Sequence, residues 1–230
     1  MYMNKVIMRM VVVAVMTLTT YTTAAAQDIY SGSTSLVTID QEWEGETLSG
    51  VENGTIYAML ESFNKRWPTW MITCALKTMK KGMRLERYGD RLPTVFCDLP
   101  NGWVDVATSV MGAEFMNSCY WRRSNGHHLL GIYFGKPVSP TLHFVCFYDY
   151  DPQNHTLTPE THIIDGFRTT DDAKFYYQLP QHGKDMIVIE DGPRGHIIHT
   201  FKWDGMKPVY SKSEVQEDFA DGDHCDEDEE

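Results

Sequence analysis

The stretch from Glu114 to Glu160 constrains the fold of this chain most strongly. It holds three runs rich in aromatic and β-branched residues, the composition that favours β-strands. Asn125-Gly126 separates the first run from the second, and Gly135-Lys136-Pro137 separates the second from the third. Asn-Gly between apolar runs is a strong signal for a β-hairpin. The stretch therefore predicts three consecutive antiparallel strands joined by short turns.

A two-residue type I′ turn at Asn125-Gly126 would determine the register of the first hairpin. The pairs that it predicts are Ser124 with His127, Trp121 with Leu130, and Cys119 with Ile132. Because side chains alternate between the faces of a strand, Trp121 and Cys119 are expected on one buried face. Tyr120 and Arg122 lie on the other face, which we expect to be covered in part by helices or to bind a partner.

Two amphipathic helices are predicted before these strands. From Thr55 to Trp67 apolar residues recur at helical spacing, Thr55 is a suitable N-cap and Pro68 ends the run. From Thr69 to Lys81 a second apolar stripe is followed by Gly82, which suits the position after a helix C-terminus.

Beyond Gly82 the hydrophobic period changes to two residues, the spacing of strands. Strands are predicted at Thr94–Cys97, Trp103–Val110, Glu114–Arg123, His128–Phe134, Thr141–Tyr150, Phe175–Leu179, Met186–Glu190, Ile197–Trp203 and Pro208–Tyr210. We therefore expect an α+β domain in which two N-terminal helices pack on a curved, mostly antiparallel β-meander of about seven or eight strands.

The two ends of the chain differ from this domain. Residues 1–26 combine basic side chains, an apolar run and three alanines, the pattern of a signal peptide, and predict export to the periplasm, the cell surface or the medium. Residues 27–50 are polar and predict a mobile leader. Ten acidic side chains between Glu214 and Glu230 predict a disordered tail over residues 214–230. A single globular domain over residues 51–213 remains.

Charge and hydropathy narrow the classes of partner. The formal net charge is -12, and the sequence has no cluster of Lys and Arg side chains that could neutralise phosphates. This argues against nucleic acid as a partner. No second apolar stretch is long enough to span a bilayer once the signal peptide is removed. The cysteines Cys74, Cys97, Cys119 and Cys146 leave open either a disulfide in one of three connectivities or buried thiols.

No complete catalytic, cofactor-binding or metal-binding signature is present, so no catalytic residue, cofactor or metal is predicted. The histidines that suggest a metal site are His127, His128, His196 and His199. Adjacent strand residues and residues three apart point to opposite faces, which argues against a shared ion. The loop from Asp149 to Glu160 has acids at calcium-loop positions, but Asp151–Asn154 is better explained as a type I turn.

One candidate binding group lies at the hairpin end and combines aromatic surface with cationic donors. Its residues are Tyr120, Arg122, Arg123 and His128. Such a group could engage a carbohydrate ring, an anionic glycan or a protein. Arg123 and His128 are expected to be its most exposed members.

The stretches CYWRRSNGHHLLGIYF, FVCFYDYDPQNHTLTPE and HTFKWDGMKPVY resemble small exported β-rich domains of uncharacterised function from Bacteroidetes-type bacteria. The resemblance covers most of Thr55 to Tyr210 and implies a periplasmic or cell-surface location. It carries no catalytic residue.

The leading hypothesis is a secreted or periplasmic, non-enzymatic binding domain for an envelope protein or a glycan, with an aromatic sheet face or the hairpin as the contact. The first alternative is a secreted hydrolase whose carboxylates and histidines converge from separate strands, with His143, His162 and His182 as candidates. The second is a structural protein completed by strand addition. The sequence leaves open the ligand, the oligomeric state and whether the sheet closes into a barrel.

Overall fold

The computed structural model describes residues 36–37, 45–88, 93–108, 114–135, 144–169, 173–192 and 195–216. All of them belong to one unit of the chain, Gly32–Glu230. The predicted signal peptide, most of the predicted leader and the tail beyond Gln216 lie outside the described residues.

Both predicted helices are confirmed to within one residue at each end. Helix α1 is Ile56–Arg66 and helix α2 is Trp70–Lys80. Each begins at a threonine whose hydroxyl accepts a hydrogen bond from the third residue along, Thr55 from Ala58 and Thr69 from Ile72. These caps satisfy amide groups that the first helical turn leaves free. Neither helix is long and apolar enough to cross a membrane.

The strands follow one another along the chain as β1 (Leu36–Val37), β2 (Leu48–Ser49), β3 (Leu85–Arg87), β4 (Thr94–Asp98), β5 (Trp103–Ala107), β6 (Phe115–Arg122), β7 (His128–Gly135), β8 (Phe144–Asp151), β9 (Thr156–Glu160), β10 (Phe167–Arg168), β11 (Lys174–Gln178), β12 (Met186–Gly192), β13 (Gly195–Trp203) and β14 (Pro208–Gln216). A short 3₁₀ helix, Leu99–Asn101, links β4 to β5.

The strands of the described part of the chain form two main sheets, and their pairing is antiparallel. The large sheet has eight strands in the order β2-β9-β8-β7-β6-β5-β4-β3, and the small sheet has four in the order β11-β12-β13-β14. The two short strands β1 and β10 pair separately. The predicted antiparallel α+β class is confirmed, but a single meander of seven or eight strands was wrong because the last four strands form a sheet of their own. The helices also follow β1 and β2 in the chain.

Two hydrophobic clusters bury both faces of the central strands. Met59 of α1 and Ile72 of α2 pack with Val104 of β5 on one face of the large sheet. On the other face, Trp121 of β6 packs with Val188 of β12 in the small sheet. The layers therefore run from helices to large sheet to small sheet. Burial on two sides explains why β7 and β8 lack a clean alternation of apolar and polar residues.

The predicted hairpin register is wrong by one residue. The Arg123 amide donates to the His127 carbonyl at 2.9 Å, and the Gly126 amide donates to the Arg123 carbonyl at 3.1 Å. The loop thus holds three residues, with Gly126 at a φ of 87°. This is the hairpin type in which a turn ends in a left-handed bulge residue.

The shift changes which side chains share a face. Trp121 lies opposite Leu129 and Cys119 lies opposite Gly131, so the predicted pairs with Leu130 and Ile132 do not form. Leu130 and Ile132 belong to the helix-side cluster, whereas Trp121 and Leu129 belong to the small-sheet side. Trp121 is nevertheless buried, as predicted.

The predicted leader and tail each contribute strand residues. Strand β2 lies within the leader and adds to the edge of the large sheet, and Leu48 packs against the helix-side core. Strand β14 continues to Gln216, two residues beyond the start of the predicted tail at Glu214.

The four cysteines of the described chain are free thiols, so none of the three connectivities among them forms. They are Cys74, Cys97, Cys119 and Cys146. Burial raises the pKa of the Cys97 thiol to about 12. These thiols act as small apolar core residues.

Candidate functional site

The one-residue shift divides the four predicted binding residues between the two faces of the hairpin. Tyr120 and His128 lie on the helix side, where their rings stack at 4.9 Å. The His128 Nδ1 atom is 2.8 Å from the carbonyl oxygen of Gly54. Desolvation lowers the pKa of His128. Both side chains therefore help to attach the segment before α1 to the large sheet.

Arg123 points to the opposite face, and the expectation that it is exposed was wrong, since 9% of its surface is accessible. Its Nη1 atom donates to Oδ1 of Asp149 at 2.6 Å. Its Nη2 atom lies 2.6 Å from Oε2 of Glu160, an ion-pair distance without hydrogen-bond geometry. His127 Nδ1 is 2.7 Å from the second oxygen of Asp149.

This ion-pair network explains the calcium-like spacing of the acids. Asp149 and Glu160 converge on the Arg123 guanidinium group, so the cation at their meeting point belongs to the protein itself. Asp151 instead accepts hydrogen bonds from the amides of Gln153 and Asn154 at 2.7 and 3.2 Å, which fits the turn that the sequence predicts. Of the four predicted residues, Arg122 alone is exposed.

A second polar cluster lies inside the small sheet. His199 Nε2 is 2.9 Å from Oε2 of Glu190, His199 Nδ1 is 2.8 Å from Oγ of Ser213, and the Tyr210 hydroxyl is 2.7 Å from the same Oγ. If Nε2 donates to Glu190, Nδ1 accepts from Ser213 and the Tyr210 hydroxyl donates to Ser213. The arrangement joins three neighbouring strands through satisfied buried groups.

The hydrogen-bonded side chains of this cluster follow the order of a hydrolytic triad, serine to histidine to carboxylate. However, these side chains have little access to solvent. The accessible fractions are 0% for His199, 1% for Glu190 and 8% for Ser213. The Phe167 ring lies 4.6 Å from the His199 ring. The cluster is therefore part of the core between the sheets.

The histidines proposed for a hydrolase lie elsewhere. His182 Nδ1 is 3.4 Å from the side-chain Nδ2 of Asn101. The backbone carbonyl of His162 accepts a hydrogen bond from Nζ of Lys207. His143 lies outside the described residues. Within the described ranges, no group of three or more His, Cys, Asp or Glu side chains could hold a metal ion.

A third polar pair, Asp105 and Asn117, lies on the large-sheet face that the small sheet covers only in part. The Asn117 Nδ2 atom donates to Oδ1 of Asp105 at 3.3 Å across β5 and β6. Both side chains are half-buried. Desolvation raises the pKa of Asp105 to about 6, against the lowering effect of the Asn117 hydrogen bond. Such a shift favours a functional role for a carboxyl group near a surface.

The strands around this pair form what we call the Asp105 row, defined by the cross-strand partners Leu85, Phe96, Asp105, Asn117 and Tyr133. Cross-strand partners present their side chains on the same face. Exposure falls along the row, from 42% at Leu85 to 2% at Tyr133. Tyr133 contacts Tyr177 of β11 at 5.1 Å between ring centroids, so the row passes beneath the edge of the small sheet.

Aromatic and polar side chains border the row. The half-buried Trp103 ring lies 6.5 Å from the Phe96 ring, edge to face, and its Nε1 donates to the Leu179 carbonyl. Beyond Trp103, Oδ2 of Asp98 accepts hydrogen bonds from the side-chain amides of Asn101 and Gln181 at 3.0 Å each. These hydrogen bonds lower the pKa of Asp98.

One atom of the pair has unused hydrogen-bonding capacity. Oδ1 of Asn117 is enclosed and has no hydrogen-bond partner in the described part of the protein. A buried amide oxygen without a partner costs about 1–3 kcal/mol. The Asp105 row thus combines an aromatic edge, a desolvated carboxyl group and an unsatisfied acceptor.

Sequence reasoning overlooked both residues of this pair. The signal available was the alternation Trp103-Val104-Asp105-Val106, in which an acid occupies the same face as an aromatic residue. Asn117 lies on that face in the next strand, but recognising this requires the correct pairing of β5 with β6.

Comparison of the chain with protein-family models, with curated proteins and with solved structures finds no match.

Proposed function

We propose that this protein is an exported, non-enzymatic glycan-binding domain whose contact is the aromatic Asp105 row. The export part of the proposal is supported by the signal-peptide pattern of residues 1–26. The observation that carries the binding part is the Asn117 side-chain amide, which donates to Asp105 while its oxygen has no hydrogen-bond partner among the described residues.

A sugar matches this chemistry because each hydroxyl both donates and accepts. Because Oδ1 of Asn117 is enclosed, a rotation of this side chain on binding would expose the oxygen to one sugar hydroxyl, and the neighbouring hydroxyl on the ring would donate to the Asp105 carboxylate. The flat apolar face of the sugar would lie against Phe96 and the border formed by Trp103. Sites of this kind are largely apolar with a few placed polar groups.

A neutral glycan fits better than an acidic one. The chain carries a formal charge of -12, and Asp105 is the one carboxyl group of the row. An anionic sugar would face repulsion at the contact and from the protein as a whole. The hairpin residues contribute less to this contact, since Arg123, Tyr120 and His128 are engaged within the protein.

The test is a screen of the purified chain against an array of neutral oligosaccharides, followed by calorimetry on any ligand found. We expect binding that Asn117→Ala and Asp105→Ala each weaken roughly tenfold or more, by loss of one to two hydrogen bonds. Asn154→Ala, an exposed turn substitution, is the matched control and should keep wild-type affinity. Retention of full affinity by Asn117→Ala would place the contact elsewhere, and no binding on the array would reject the proposal.

Linkage predicts how the affinity depends on pH. Hydroxyls that donate to Asp105 favour its ionised form, so affinity should rise as pH increases through about 6. In Asp105→Asn the dependence should disappear. A wild-type affinity that stays constant between pH 5 and 7 would contradict contact with Asp105.

The second candidate function is a serine hydrolase, favoured by the order Ser213, His199, Glu190. In that reaction Ser213 Oγ would attack the acyl carbon of an ester while His199 takes the hydroxyl proton. His199 would then return this proton to the departing alcohol. It ranks second because His199 is fully buried. Labelling of Ser213 by a fluorophosphonate probe, absent in Ser213→Ala, would favour this candidate, and an unlabelled native protein would reject it.

A further inference from the structure

Strand β14 forms an edge of the small sheet and has an unusual charge arrangement. Among the described strands it pairs with β13 alone. An edge strand presents backbone donors and acceptors that can add another strand. The side chains of β14 decide which strand can be added there.

The two halves of β14 differ in how well they are protected from such pairing. The first half begins with Pro208, and the register shifts between Thr200 and Phe201, which leaves Ser211 unpaired as a bulge. Proline and bulges are common means of blocking edge association. From Lys212 to Gln216 the pairing with β13 is regular. The part of β14 open to strand addition is therefore centred on Lys212, Ser213 and Glu214, which follow the bulge in regular register with β13.

The outward side chains of this segment carry opposite charges at matched positions. Lys212 and Glu214 flank Ser213 on the outer face, and their side chains are 53% and 43% exposed. Within one chain they form an ion pair at 2.6 Å. Exposed pairs of this kind stabilise a monomer little, so their charges remain available to a partner.

We propose that β14 pairs with β14 of a second copy of this chain, antiparallel, about a two-fold axis at Ser213. In that register Lys212 of each copy lies opposite Glu214 of the other, which makes two attractive cross-strand pairs. An axis at Lys212 or at Glu214 would instead place like charges opposite each other. The two small sheets then join into one continuous sheet.

Two other features agree with a second copy as the occupant. Val215 is 41% exposed although its partner Ile197 is buried, and in the register about Ser213 the bulged Ser211 of the second copy would lie opposite it and cover part of its side chain. Because the paired strands run in opposite directions, the Gln216 ends lie at opposite ends of the ladder. The acidic sequences that follow Gln216 in the two copies therefore start from opposite ends of the ladder.

The contact is small, which sets the expected strength. One strand pair buries less than the roughly 1,200 Å² of typical specific complexes, and we expect a dissociation constant on the order of 100 μM. Sedimentation velocity of the full chain over a concentration series up to about 1 mM covers this range.

The test uses reversed charges. Lys212→Glu alone and Glu214→Lys alone should each weaken self-association roughly tenfold or more, since both cross-strand pairs become repulsive. An equimolar mixture of these two variants should form heterodimers, and the double variant Lys212→Glu/Glu214→Lys should associate like the wild type. Lys184→Glu makes the same charge change on an exposed loop and should have no effect.

The outcomes decide the proposal clearly. Recovery of association in the mixture and in the double variant supports the register about Ser213. A wild type that stays monomeric at about 1 mM, single variants that associate like the wild type, or a mixture that stays monomeric would each overturn it. Circular dichroism and the thermal midpoint of each variant confirm that these exposed substitutions leave the fold intact.

Discussion

Nη1 of Arg123 donates a hydrogen bond to Oδ1 of Asp149 at 2.6 Å, although the two residues are 26 positions apart. The contact joins the β6–β7 loop to β8, and Glu160 adds the end of β9. The same loop is tied to the β13–β14 turn, because the Ser124 amide donates to the Gly205 carbonyl at 2.8 Å. The buried guanidinium group therefore joins three parts of the large sheet, and the backbone hydrogen bond of Ser124 connects the same loop to the small sheet.

Removal of this cation should destabilise the protein. Arg123→Ala leaves the Asp149 and Glu160 carboxylates without their cation, which costs several kcal/mol for a fully buried pair. Both carboxylates keep some contact with water, so we expect a loss of about 2–3 kcal/mol in the free energy of unfolding. Urea denaturation measures this loss. The exposed neighbour Arg122→Ala should change it by less than about 0.5 kcal/mol, and equal losses would contradict the assigned role.

Asp105 should make stability depend on pH. Its pKa of about 6 lies above the ordinary 3.8, so between these values the folded state binds more protons than the unfolded state. The free energy of unfolding therefore decreases as pH rises through this window, by about 3 kcal/mol in total. Asp105→Asn removes the charged form and should be more stable than the wild type at pH 7. Denaturation of both proteins at pH 4 to 8 measures the difference, and a constant difference across that range would refute it.

The buried hydroxyl of Ser213 should contribute to stability through two partners. Ser213→Ala removes the group that bonds both His199 and Tyr210, and leaving buried groups unpaired costs about 1–3 kcal/mol. The exposed Ser211→Ala is the matched control and should lie within about 0.5 kcal/mol of the wild type. Thermal unfolding followed by circular dichroism distinguishes the two. A neutral Ser213→Ala would mean that the cluster does not support the core.

Gly102 and Gly126 should respond differently to alanine, although both adopt a positive φ. A Cβ atom at Gly102 would lie 2.1 Å from the Tyr120 ring, whereas one at Gly126 meets nothing within 4 Å. Gly126→Ala should therefore cost the backbone strain alone, about 1 kcal/mol. Gly102→Ala adds overpacking and should lose about 2–4 kcal/mol in all. Chemical denaturation of both variants tests this, and equal losses would show that Tyr120 moves aside without cost.

Local signals predicted the helices well because their causes are local. Thr55 and Thr69 cap them through contacts three residues away, and Gly82 follows the second helix with the positive φ that a C-terminus requires. The strands from β4 to β8 were likewise indicated by their composition. Strand β9 was not predicted, since Pro159 argues against a strand. A proline is tolerated at position 159 because β2, the neighbouring strand on that side, pairs only with Thr156 and Leu157 and therefore does not extend to the proline.

The hairpin error shows how one turn changes a whole face. Asn125-Gly126 marked the right place, but a two-residue and a three-residue loop differ by one position, and strands alternate with a period of two. The Arg123 and His127 backbones pair instead of Ser124 and His127. Arg123 consequently points towards Asp149 and forms an internal ion pair, whereas Tyr120 and His128 of the same predicted group pack on the helix side.

By itself, the sequence determined the two capped helices, the antiparallel class and the turn positions, since each depends on neighbours within a few residues. Only the tertiary structure decided the division into two sheets, the pairing of Arg123 with Asp149 and the meeting of Asp105 with Asn117. These depend on which strands lie side by side, and that choice is made by burying both faces of the central strands at once. The hydrophobic pattern of one strand cannot predict which strands are neighbours. When both faces of a strand are buried, apolar and polar residues no longer alternate, so the pattern does not show which face is which.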